Sequence, residues 1–124
     1  MVDRMQLLVV LSTFPDAAAA RAAAEALVSE SLAACVNLVP GVESLYRWEG
    51  KLENSQEVLA VIKTTAERYP ALEARLRELH PYEVPAIVAL RAASVADSYL
   101  KWICQSTQPQ TRDAGNPANV PNSG

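Results

Sequence analysis

"LAACVNLVPGVESLYRWEGKL", Leu32 to Leu52, decides the architecture of this chain. It holds one of two cysteines, one of two tryptophans and two of four glycines. Cys35 to Trp48 is rich in the β-branched and aromatic residues that favour strands. Pro40-Gly41 falls inside it, and proline is tolerated in a strand only at an edge or a bulge. The run therefore predicts a long second strand with a bend or bulge at Pro40-Gly41. Glu49-Gly50 reads as a two-residue turn, and Lys51 to Thr65 returns as strand three. The two strands form a long hairpin.

The chain around it supplies the partners. Gln6 to Thr13 reads as strand one. Its apolar run follows Asp3, stops at Pro15-Asp16 and has no small-x-small cleavage site at the right place, so it is read as a strand rather than a leader. Asp16 is placed to cap a helix over Ala17 to Leu32, which is mostly Ala, Glu, Leu and Arg. Thr65 is placed to cap helix two, with an irregular first turn at Pro70 and Leu72, Leu76 and Leu79 at helical spacing. Pro81 stops that helix. Ala86 to Arg91 reads as strand four. Ser94 is placed to cap a third helix with Val95, Tyr99, Trp102 and Ile103 on one face. The order predicts an α+β fold, a ferredoxin-like βαββαβ sandwich with a C-terminal helix, its antiparallel sheet covered by helices on one face. Residues 1–105 form the domain. Residues 106–124 hold three prolines, two glycines and no aromatic residue, and are expected to be a flexible tail.

A sheet covered on one side should alternate apolar and polar residues. These strands do not. Leu7, Val9 and Leu11 oppose Leu8 and Val10; Val58, Ala60 and Ile62 oppose Leu59 and Val61; Ile87 and Ala89 oppose Val88 and Leu90. Two helices cover one face, so the other is expected to meet further copies of the chain.

Composition narrows the function. Of 124 residues, 50% are apolar, enough for one core. Eleven basic and fourteen acidic side chains leave a net charge of −3 and no basic face, which argues against nucleic acid. No apolar run approaches the roughly 20 residues needed to cross a membrane. Two cysteines make no disulfide scaffold, and a cytoplasmic setting is expected. There is no phosphate-binding P-loop and no nucleophile elbow. The glycine-rich anion loop of an acylphosphatase is replaced by "STFPDAAAA", and strands one and three lack the exposed aromatics of an RNA-binding sheet. No enzyme is expected.

Each candidate residue has two readings. Cys35 is a soft-metal ligand or a small buried hydrophobe. His80, the only histidine, is a ligand beside Tyr82 and Glu83 or a cap on the end of helix two. Tyr46 and Trp48, two apart, form a cleft wall or pack across strands and subunits, and Trp102 with Tyr99 packs similarly. Glu57 and Lys63 share a face of strand three. Lys63 neutralises an anionic ligand or pairs with a carboxylate.

Four motifs in register, "LAACVNLVPGVESLYRWEGKL", "EVLAVIKTT", "HPYEVPAIVAL" and "YLKWI", resemble the CutA1 divalent-cation tolerance proteins from Leu7 to about Ile103. The resemblance implies a homotrimer similar to PII signalling proteins, with the hairpins reaching across subunit boundaries. It implies a role in the response to metal ions, copper binding among them, with no established reaction and no metal required for the fold. On this resemblance Cys35, His80 and Glu83 are the metal candidates. Tyr46, Trp48, Glu57, Lys63, Tyr82 and Trp102 are the candidates for an inter-subunit cleft. The alternative is a PII-like module binding a small anionic ligand near Lys63, His80 and Tyr82. Three positions depart from the family: Ala86 replaces a common Glu, Ser12 a cysteine and Leu79 a second histidine, the latter two found in some members.

Overall fold

The computed structural model describes residues 3–109. The elements are β1 (Leu7–Phe14), α1 (Ala17–Ser29), β2 (Cys35–Trp48), β3 (Lys51–Thr65), α2 (Tyr69–Leu79), β4 (Val88–Arg91) and α3 (Asp97–Ser106). The four strands form one antiparallel sheet in the order β2-β3-β1-β4. This mixed α+β arrangement agrees with the expected class, and β2 and β3 have the bounds read from the sequence. The expected tail lies outside the described residues from residue 110 onward. The packed chain runs past Gln105: α3 ends at Ser106, and Thr107 is buried with its hydroxyl donating to the Ile103 carbonyl at 2.8 Å.

Four local readings are corrected. Helix α1 is capped by Asp16, whose carboxylate accepts from Ala19 N–H, but it stops at Ser29 rather than Leu32. Ser31 takes a left-handed φ of 60°, Leu32 N–H donates to the Leu27 carbonyl at 2.9 Å, and Ser31 N–H donates to Val28 at 3.0 Å. That is a Schellman ending, with Leu27 and Leu32 packed in one core. Thr65 does not cap α2. It is buried at the end of β3, and its hydroxyl closes the turn by accepting from Arg68 N–H. Strand β4 starts at Val88, since Ala86 and Ile87 have no ladder partner. Helix α3 starts at Asp97 after Ala96, with no side-chain cap, so Ser94 does not serve as one.

The bulge falls where proline and glycine predict it. Val39 pairs with Leu59 and Val42 with Glu57, so β2 advances three residues while β3 advances two. Gly41 has φ 74°, a left-handed value that costs glycine nothing. The extra residue resets the alternation. Cys35, Asn37 and Val39 before the bulge share a sheet face with Val42, Ser44, Tyr46 and Trp48 after it, because all oppose odd-numbered residues of β3.

The core lies on the other face. Val10 and Phe14 of β1 and Val58, Ala60 and Ile62 of β3 pack against Ala20, Ala23 and Leu27 of α1 and Leu72 and Leu76 of α2. The Thr64 hydroxyl donates to the Leu32 carbonyl at 2.7 Å, tying the loop after α1 to the sheet. Arg75 clasps Glu30 with two nitrogens and so joins the two helices. Ile103 of α3 is buried against Leu7 and Ala34, covering one end of the second face. The rest of that face stays open: Val39, Val88 and Leu90 are 42%, 50% and 48% exposed.

Two turns hold non-glycine residues at left-handed φ: Ser31 at 60° and Glu49 at 51°. Ser31→Gly and Glu49→Asn should each stabilise the chain by about 0.5–1 kcal/mol. The midpoint of guanidinium unfolding checks this, and a drop in either variant contradicts the assignment.

Candidate functional site

The turn at Glu49-Gly50 sets the register of the hairpin arm. Trp48 pairs with Lys51, Tyr46 with Glu53, Ser44 with Ser55 and Val42 with Glu57. Tyr46 and Trp48 therefore stand side by side on the uncovered face, and the Tyr46 hydroxyl bonds the Ser55 hydroxyl at 2.9 Å. The segment after α2 folds over the same end of the sheet. Together they enclose a cleft of about 520 Å³ lined by Thr13, Ser44, Tyr46, Trp48, Glu53, Glu57, Tyr82, Glu83, Val84 and Ala86.

His80 anchors that segment. Its ring stacks on Phe14 with centroids 4.2 Å apart. Its Nε2 lies 2.8 Å from the Thr13 carbonyl, and its Nδ1 lies 3.1 Å from Tyr82 N–H. A carbonyl only accepts and an amide only donates, so these partners select the neutral ring with its proton on Nε2. Burial lowers the His80 pKa below the ordinary 6.5, against the opposite pull of the Thr13 carbonyl and Glu57. Protonating Nδ1 would also set two hydrogens against each other. The backbone held this way aims the Tyr82 hydroxyl at Glu57, to which it donates at 2.7 Å. Burial first, and then the Glu57 carboxylate, raise the Tyr82 pKa, so the phenol stays protonated.

The structure brings together Tyr46, Trp48, Glu57, Tyr82 and Glu83. It places the other sequence candidates elsewhere. Lys63 is six residues from Glu57 along β3, about 20 Å at about 3.3 Å per residue. Its ammonium donates to the Asn37 side-chain oxygen. Cys35 sits directly across from Lys63, with its sulfur 3.9 Å from that same oxygen. Trp102 packs on α3 beside Tyr99, with ring centroids 5.8 Å apart. The second cysteine, Cys104, has its thiol pKa raised by burial and by Asp3 and Glu67, the opposite of a reactive thiol.

These positions bear on metal binding. Both His80 nitrogens are engaged, and Cys35 lies at the far end of the face from Glu83. Among the described residues no three His, Cys, Asp or Glu side chains gather closely enough to hold one ion. A single chain therefore does not assemble a ligand set from Cys35, His80 and Glu83. Of the three departures from the resembled family, only Ala86 lines the cleft. Ser12 is sealed on the helix-covered face, its hydroxyl without a partner, and Leu79 packs against the core.

Glu53 escaped the sequence reading. It follows from counting outward from the two-residue turn, which sets Glu53 opposite Tyr46. With it the cleft carries three carboxylates, and no lysine, arginine or histidine lines it. An anionic ligand would meet repulsion there.

Comparison with known proteins agrees with this architecture. The family described as "CutA1 divalent ion tolerance protein" matches residues 8–106. The divalent-cation tolerance protein CutA of Thermus thermophilus is 50% identical over 99 residues, covering 80% of this chain and 96% of that protein. The chloroplastic protein CutA of Arabidopsis thaliana is 42% identical over 101 residues, 82% of this chain, and this chain spans only 56% of that longer protein. The crystal structure of CutA from Xylella fastidiosa superposes with a TM-score of 0.82 at 40% identity, covering 83% of this chain and 99% of that one.

The His80 contribution to stability is complete above the unfolded value near pH 6.5 and is lost as pH falls through the lowered folded value. The melting temperature should therefore fall between about pH 7 and pH 5. His80→Gln should remove that part of the slope and cost about 1–3 kcal/mol, because Tyr82 N–H loses its acceptor. An unchanged slope in the variant contradicts the neutral tautomer.

Proposed function

Because the chain belongs to the CutA1 divalent ion tolerance family, we propose that it serves divalent-cation tolerance as a homotrimer of ferredoxin-like subunits. Copper or another divalent ion would bind only in the assembled state. The observation that carries this is the uncovered sheet face. Val39, Val88 and Leu90, about half exposed, continue a surface formed by Val9, Leu11, Leu59 and Val61. Leaving such a face in water forgoes about 25 cal/mol for each Å² that a neighbour would bury. The arm exposes apolar side chains on both of its faces, since Trp48 on one and Leu45 and Leu52 on the other are 55%, 63% and 80% exposed. These residues suit contact with a neighbouring copy.

Cys35 lies on that same face, so packing copies against it would bring the thiol near donors of another subunit. His80 would have to surrender a hydrogen bond to join it, whereas Glu83 is exposed and free to turn. The free thiols of Cys35 and Cys104 suit a reducing, cytoplasmic setting. The family is named for ion tolerance rather than for a reaction, and no catalytic step is assigned. The anionic-ligand alternative finds no support in the cleft, where the charged lining is wholly acidic.

Light scattering should give three chains per particle at micromolar concentration, and a monomer would overturn the assembly. Titration of Cu(I) and Cu(II) into the metal-free protein should then saturate. Cys35→Ser should weaken binding about tenfold or more, in line with the loss of a soft ligand. Binding that is absent, or the same in Cys35→Ser, His80→Ala and Glu83→Gln, counts against the metal reading.

A further inference from the structure

We draw no further inference here: the strongest candidate, the small cavity of about 10 Å³ beside the end of α3 that Met5, Glu67 and Cys104 line, rests on a lone cysteine, and nothing in the structure there points to a ligand.

Discussion

Everything in this molecule is registered on β3. That strand is hydrogen-bonded along one edge to β1 and along the other to β2, so each of its residues sets the face on which two neighbours stand. Its even-numbered side chains, Val58, Ala60, Ile62 and Thr64, are buried beneath the helices. Its odd-numbered ones, Glu53 through Lys63, define the uncovered face and hence the cleft. Moving β3 by one residue would exchange the two sets and put Glu57 in the core. The apolar cost of that exchange is what holds the acidic cleft in place.

Where the chain is punctuated by residues with a restricted backbone, the sequence is legible to the residue. Pro40-Gly41 and Glu49-Gly50 bracket the arm, and both ends of β2 and β3 follow. Legibility fails where the deciding feature is a conformation any residue can enter. Ser31 looks like one more helical serine, and its left-handed φ is visible only through the hydrogen bonds that Ser31 and Leu32 return to Val28 and Leu27. Ser94 and Thr65 are good capping residues by type, yet neither lies where a helix begins. Type alone does not say where the helix starts: Thr65 accepts from Arg68 N–H in a turn that precedes α2.

The site divides along the same line. Tyr46, Trp48, Glu57 and Tyr82 were recognisable by their chemistry, and the two-residue spacing of Tyr46 and Trp48 told their common face. The sign of the cleft was not recognisable. It depends on Lys63 lying far along β3 beside Asn37, and on Glu53 turning in beside Tyr46. His80 shows a third kind of limit. Its position after α2 suggested a helix cap or a ligand. It does cap α2, through its backbone N–H donating to the Leu76 carbonyl, while its ring links the end of β1 to Tyr82, a contact with Thr13 across 67 residues of chain.

The single unpaired step in β2 has a further consequence for how this protein can vary. Because the bulge shifts the alternation by one, Cys35 and Trp48 share a face although one number is odd and the other even. Loss or gain of one residue between the bulge and the turn would rotate Tyr46 and Trp48 away from the cleft and bring Leu45 and Arg47 round in their place. Changing both strands of the arm by two residues would only lengthen or shorten it. The length of this arm is in effect quantised, open to change in pairs and closed to change in singles.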